Sequence, residues 1–537
     1  MIPPCFSFCR VRIDGTGLGL IMHHKKLGKI FEVLCLHIPP KDQTPITDLV
    51  KLVKRKIRSE HHFSPNRPIY LVGESVGACL ALSVASLNPD IDLVLLLANP
   101  ATSFGRSPLQ PILPLLQFMS ELLPNLSLPH VLSSMAGVLS VFHNSIYFLL
   151  VSGKMKARAE LGICSYLLVL ADILPIETLL WKLQIINSAS SYANSRLHAV
   201  KAQTLILSSG RDPLLPNQEE GLRLQLLLAN CEIRTFEDSG HFLFLEDAFD
   251  LVTVIKQVGV YRRLKERDFV LDYIPPSPSE LKDVLDKYRW ISIIMSPVML
   301  STLADGKIVR GFAGIPSEGP VVYVGYHMLL GFDIFPLVSQ LWEQKGIHLR
   351  GIAHPMTFMK LKQGNLVELH FSDYFRLMGA VPVSGKNFFK LLSTKSHILL
   401  YPGGVREALH RKGEAYKLVW PEQSQFVRMA ARFGAKIIPF GAVLFDYEDQ
   451  MKVPFLKKYI EEKSDDAGKL RATIDAEVGN QAVHYPGILP KFPGLFYYCF
   501  GKPIETEESD PYRSLASRLL FQARHGFTAQ VPAFDIN

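Results

Sequence analysis

The sequence predicts two α/β domains joined near the middle of the chain. Three observations carry that reading. The chain has 537 residues, more than one ordinary hydrophobic core accommodates. Short apolar runs bounded by turn residues recur between helical stretches, over residues 69–236 and again over 321–439, as buried strands of mostly parallel sheets do. Between these blocks the composition changes abruptly at Tyr273-Ile274-Pro275-Pro276-Ser277-Pro278-Ser279, a Pro/Ser cluster that follows the charged stretch 262–268. The reading places one domain at 1–265, a linker at 266–285 and a second domain at 286–537.

In the first domain, Asp14-Gly15-Thr16-Gly17-Leu18-Gly19 is a glycine turn near the start. It lacks the spacing and the later acidic residue of a dinucleotide loop. The residues feeding it, Cys9-Arg10-Val11-Arg12, are basic where a buried first strand should be apolar. Next comes the apolar strand 69–72, which runs into Gly73-Glu74-Ser75-Val76-Gly77 and then a helix of small residues. A serine on such a sharp strand-to-helix turn exposes its hydroxyl, and flanking glycines avoid clashes with neighbouring strand and helix. The bare pattern is weak, but its context strengthens it. Asp212 lies just past the strand 204–207, and His241 just past the strand around 233–236. Ser75, Asp212 and His241 stand in the order a nucleophile, orienting acid and base take in this kind of sheet. Gly15, Thr16 and Val76 are the expected oxyanion donors, because backbone N–H groups beside the nucleophile stabilise developing negative charge.

A long insert separates strand 93–97 from strand 204–207, and residues 108–198 read as a helical cap. Its apolar stretch 122–153 is interrupted by Pro124, Pro129, His143 and Asn144, which argues against a spanning helix of about 20 apolar residues. Cap helices that dip into a lipid interface and a buried helix pair both fit. The first domain is therefore α/β-hydrolase-like.

In the second domain, a helical run is expected over 290–303, and strands over 321–324, 397–401 and 436–439. The strand 321–324 ends in Gly325-Tyr326-His327, with Asp333 one turn later. A histidine there can deprotonate an acceptor hydroxyl while a carboxylate orients its ring, and a thioester donor makes a covalent intermediate unnecessary. The next segment, Tyr401-Pro402-Gly403-Gly404-Val405-Arg406-Glu407, offers a glycine turn, a cation and an anion. Gly403, Gly404, Arg406 and Glu407 are thus candidate contacts for a phosphate or carboxyl group of substrate. An ion pair within the protein fits Arg406 and Glu407 equally well.

Composition narrows the function. A net charge of +8 without dense Lys/Arg blocks excludes a dedicated nucleic-acid binder and suits an anionic lipid surface or an acidic acyl carrier. The mean hydropathy of +0.16 is high and points to lipid contact or a greasy pocket. Seven cysteines do not make a disulfide scaffold, and no Cys/His set completes a metal site. No cofactor is expected. Met1–Arg12 shows neither a secretory signal nor a recognisable organelle transit segment.

At these motifs the sequence resembles known enzymes. The second half resembles the lysophospholipid and diacylglycerol acyltransferase superfamily, with its His-x4-Asp block, a Pro-Glu-Gly or Pro-Gly-Gly block with Arg, and a later Val/Ile-Pro strand. Taken together, the halves are similar to the plant esterase/lipase/thioesterase family, which includes phytyl ester synthases of chloroplasts. The phrases Ile13-Asp14-Gly15-Thr16-Gly17, Ala98-Asn99-Pro100-Ala101-Thr102-Ser103-Phe104-Gly105-Arg106-Ser107 and Tyr401 to Leu409 carry the match. The resemblance implies an acyltransferase (for groups other than aminoacyl) esterifying phytol, diacylglycerol or xanthophylls. The acyl groups would come from acyl-CoA, acyl carrier protein or galactolipids, at plastoglobules or thylakoids. A serine lipase or thioesterase acting on plastid lipids is the alternative. By resemblance, His327 is the transferase base and Asp333 its partner, although five residues separate the pair here rather than four. Val11-Arg12 also replaces the Pro-Gly that the family carries before the first glycine loop.

Overall fold

The computed structural model describes residues 5–8, 21–39, 42–110, 113–114, 117, 176–328, 331, 333–358, 371–408, 417–420, 425–444 and 496–506. The turn 14–19, with Gly15 and Thr16, and the apolar stretch 122–153 lie outside the described residues. The chain divides into two compact units, one built on residues 1–255 and 260–267, the other on 256–259 and 268–537.

The first unit runs β1 (Cys5–Phe8), α1 (Ile21–Leu27), β2 (Glu32–Cys35), α2 (Ile46–Phe63), β3 (Ile69–Glu74), α3 (Val76–Ser86), β4 (Leu93–Ala98), α4 (Ile176–Asn194), β5 (Gln203–Ser209), α5 (Asn217–Leu227) and β6 (Cys231–Phe236). Its six described strands are all parallel, in the order β2-β1-β3-β4-β5-β6. Parallel strands covered on both faces have no polar side, which is why β4 throughout and β3 over 69–72 are apolar runs, both strands being buried along their whole length. Every residue of α3 is buried as well, and its Gly77, Ala78, Ala81 and Ala85 let it approach β3, α2 and α4 closely. Each fully buried Leu or Val here contributes roughly 1.5–3 kcal/mol. The first described strand is Cys5–Phe8, one place in from the edge of the sheet; the basic tetrapeptide 9–12 lies outside the described residues.

In the second unit the first long helix is α6 (Pro278–Met295). The Pro/Ser cluster expected as linker is in part a helix start. The Ser277 hydroxyl accepts from the Glu280 N–H at 3.3 Å and the Glu280 carboxylate accepts from the Ser277 N–H at 2.6 Å, with Pro278 at the first position. The helical run expected over 290–303 is corrected too. Ser296 turns left-handed (φ 40°) before Pro297, the helix stops, and β7 (Val298–Thr302) follows. The remaining strands are β8 (Ile308–Arg310), β9 (Val321–Gly325), β10 (Leu349–Ala353), β11 (Val381–Pro382), β12 (His397–Leu400), β13 (Lys436–Leu444) and β14 (Phe496–Phe500). They form one sheet in the order β11-β10-β12-β9-β13-β14-β7-β8. Pairs within β9 to β13 are parallel, while β13–β14 and β7–β8 are antiparallel. Side chains alternate between two apolar layers. Val321, Tyr323, Leu399, Ile438 and Phe440 enter one core; Val322, Val324, Ile398 and Ile437 enter the other. The central strand β9 is buried end to end, and its exit delivers His327.

Candidate active sites

In the first unit, β3 turns into α3 at Ser75, whose φ of 56° and ψ of −115° are strained for a non-glycine residue. The turn is held by hydrogen bonds from Ser75 N–H to the Ala98 carbonyl (2.9 Å) and from Ala101 N–H to the Ser75 carbonyl (3.1 Å). Gly73 is required sterically, since a Cβ there would sit 2.3 Å from the Gly77 carbonyl oxygen. The first N–H groups of a helix lack intrahelical acceptors, so the Val76 amide at the start of α3 is a donor beside the serine.

The structure brings the three predicted residues together. The His241 ring accepts the Ser75 hydroxyl at Nε2 (3.2 Å), and its Nδ1 donates to Asp212 Oδ2 (2.6 Å). The Asp212 side chain is fully buried, and its charge is satisfied. Oδ1 accepts from the N–H groups of Leu214 (2.7 Å) and Leu215 (3.2 Å), and Oδ2 also accepts from the Asn217 amide. Oδ2 fixes the proton on Nδ1 and leaves Nε2 basic towards the serine.

Asn99 was not among the sequence candidates. Fully buried at the end of β4 with φ 44°, it donates from Nδ2 to Ser209 Oγ (2.8 Å) and to the His241 carbonyl (2.8 Å). Its Oδ1 accepts the Ser209 N–H at 2.9 Å. Asn99 thereby ties the ends of β4 and β5 to the loop that presents the histidine. The available signal was an Asn directly after an apolar strand, where that residue tolerates a left-handed turn.

In the second unit, His327 is half-buried at the exit of β9. Its Nδ1 faces the Met328 carbonyl at 3.0 Å, which puts the proton on Nδ1 and leaves the Nε2 lone pair available. Burial pulls the imidazole down to about 4, so it is neutral at ordinary pH.

Asp333 does not orient that ring directly, contrary to expectation. Its Oδ2 accepts from the Tyr401 hydroxyl at 2.5 Å, its carbonyl accepts from the Tyr498 hydroxyl at 2.9 Å, and Oδ1 has no hydrogen-bond partner among the described residues. The side chain is fully buried, and burial pushes its carboxyl up to about 7. Tyr401 instead lies against the imidazole, with ring centroids 4.3 Å apart and planes tilted by 31°.

Glu407 is also reassigned. It is buried, and its two oxygens accept the backbone N–H groups of His327 and Val419, each at 2.9 Å. It therefore braces the loop rather than offering its carboxylate to a substrate. Burial raises this carboxyl to about 7. Gly403 is buried beside it, leaving the volume the carboxylate occupies: a Cβ there would lie 2.0 Å from Glu407 Cδ. Of the predicted substrate contacts, Gly404 is half-buried and Arg406 is exposed.

Residues 8–254 match the alpha/beta hydrolase family, and residues 327–470 match the diacylglycerol acyltransferase family. Phytyl ester synthase 2, chloroplastic, of Arabidopsis thaliana is 47% identical over 98% of this chain and 82% of its own length. This chain belongs to the phytyl ester synthase family. A second family member, phytyl ester synthase 1, chloroplastic, of the same plant, is 46% identical over 97% of this chain and 81% of its own length. More distantly, a DGAT1/2-independent enzyme synthesizing storage lipids from Bos taurus is 28% identical over 26% of this chain and 41% of its own. The fold class and the two-part organisation read from the sequence are those of this acyltransferase family.

Proposed function

We propose that this chain esterifies a hydrophobic alcohol, phytol or diacylglycerol, with fatty acyl groups, and that His327 is the base that does so in the second unit. The carrying observation is that imidazole: neutral through burial, protonated on Nδ1 by the Met328 carbonyl, basic at Nε2. In this reading Nε2 takes the proton of the alcohol as its oxygen bonds to the carbonyl carbon of an acyl thioester. The C–S bond then breaks, and the departing thiolate of coenzyme A or acyl carrier protein takes the proton back from the imidazolium. Arg406 is assigned to the anionic end of the donor. The names of the phytyl ester synthases support both this substrate class and a place in the chloroplast.

The Ser75 geometry favours a second activity on the same chain, that of a serine esterase or lipase. Ser75 Oγ would attack a galactolipid ester as His241 takes its proton, and the lipid alcohol would leave carrying that proton. The acyl-serine then yields a free acid to water or an ester to phytol. Peripheral contact with a plastid lipid surface would supply both substrates.

Labelled acyl-CoA or labelled galactolipid, each offered with phytol, separates the two sites. Ester from acyl-CoA should disappear in His327→Ala and persist in Ser75→Ala, while acyl release from galactolipid should disappear in Ser75→Ala. Ester yield from acyl-CoA that is untouched in His327→Ala refutes the assignment of the second unit. Loss of all acyl turnover in Ser75→Ala would leave only a lipase or thioesterase.

A further inference from the structure

Tyr401 stands where a direct contact between His327 and Asp333 was expected. Its ring covers one face of the imidazole at 4.3 Å, and its hydroxyl donates to Asp333 Oδ2 at 2.5 Å. The Asp333 backbone is pinned in turn by the Tyr498 hydroxyl at 2.9 Å. From this arrangement we propose that Tyr401 is the positioning residue of the transferase site, a plate anchored on Asp333 that fixes the plane of His327. The inference rests on the reading of His327 as base.

Two physical points separate this role from ordinary core packing. A hydrogen bond from Nδ1 to the Met328 carbonyl sets the proton but leaves the imidazole free to tilt about that bond, and an aromatic face at stacking distance removes the tilt. Second, filling the space would need only a phenylalanine. Burying a hydroxyl against a buried carboxylate desolvates both groups, and the arrangement is sustained by the hydrogen bond between them. When Nε2 takes the alcohol proton, the resulting imidazolium lies against an aromatic face, whose π electrons offset part of the cost of burying the cation.

The test uses the full chain with labelled acyl-CoA and phytol, comparing Tyr401→Phe, Tyr401→Leu, Asp333→Asn and the Tyr401→Phe/Asp333→Asn double variant. Losing the anchor in Tyr401→Phe should lower kcat by about tenfold, the worth of one buried hydrogen bond, with both KM values unchanged. Tyr401→Leu, which also loses the plate, should fall further, to about a hundredth of the parent kcat. The double variant should be no worse than the poorer single one, because the two residues act through one contact. Parent-level kcat in Tyr401→Leu that melts like the parent, losses that multiply in the double variant, or a raised KM at constant kcat would each overturn the proposal. Should Tyr401→Leu fail to fold, Tyr401→Phe and the double variant decide. His327→Ala run alongside keeps the layers apart. If it retains transfer, the assignment of the base fails; if it abolishes transfer while the Tyr401 variants keep parent kcat, only the positioning role fails.

Discussion

The carboxylate of Glu407 accepts the backbone N–H of His327 at 2.9 Å across 80 residues of sequence, while its other oxygen accepts the N–H of Val419. One buried side chain thus fixes where the proposed base leaves its strand. Glu407→Gln keeps the shape but turns one acceptor into an amide donor facing a backbone donor. A buried donor without a partner costs roughly 1–3 kcal/mol. Glu407→Gln should therefore lower the melting temperature of the second unit and reduce acyl transfer from acyl-CoA. Hydrolysis that depends on Ser75, measured on a short ester, should be unchanged.

Gly403→Ala should give the same pattern through sterics alone. The added methyl would lie 2.0 Å from Glu407 Cδ, well inside contact distance, so the carboxylate must move off the two N–H groups it braces. Overpacking of this kind typically costs about 1–3 kcal/mol. If Gly403→Ala transfers acyl groups at the parent rate, the glycine has no role in setting the carboxylate.

What could be read from sequence divides along a physical line. Buried parallel strands are continuous apolar runs, so 69–72, 93–97, 204–207, 321–324, 397–400 and 436–439 were all recognisable before the structure was known. The strained serine turn announces itself through its two glycines. The first strand did not: Cys5–Phe8 is four residues long and too short for a pattern. The start of α6 was hidden because prolines and serines that break a helix also begin one, and the Ser277-to-Glu280 spacing was the overlooked signal. Tyr401 and Glu407 were visible as a motif, but not which groups they face. Their partners, Asp333 and His327, are 68 and 80 residues away, and a carboxylate bound to backbone N–H groups leaves no mark in a sequence.

Asn99 gives a prediction for the first unit. Asn99→Ala removes donors to Ser209 Oγ and the His241 carbonyl and leaves the Ser209 N–H without its acceptor. The loop carrying His241 then loses its tie to β4, and the 3.2 Å approach of Nε2 to Ser75 should loosen. Turnover of a short ester should fall by one to two orders of magnitude, about what a misplacement of 1 Å costs. Transfer from acyl-CoA should be unaffected. Asn99→Asp, which keeps the acceptor and loses the donors, should fall between.

Five buried or partly buried groups of the second unit make its stability depend on pH in opposing senses. An unfolded histidine takes up its proton near 6.5, whereas burial delays His327 and His348 to about 4 and also lowers His397. Between those values the unfolded chain binds more protons, so the histidine contribution to stability is lost as pH falls from about 6.5 to 4. Asp333 and Glu407 act oppositely, because burial lifts them from 3.8 and 4.5 to about 7. There the folded chain holds the extra protons, and stability is lost as pH rises from about 4 to 7. The parent should accordingly show a shallow dependence across this window. Asp333→Asn removes one opposing carboxyl, so its stability should climb more steeply with pH than the parent's. Hydrogen exchange of β9 and β12 amides at pH 4.5 and 7 reads the difference. A variant whose slope matches the parent's would mean that Asp333 is ionised in the folded protein throughout, and that its lone buried oxygen is solvated after all.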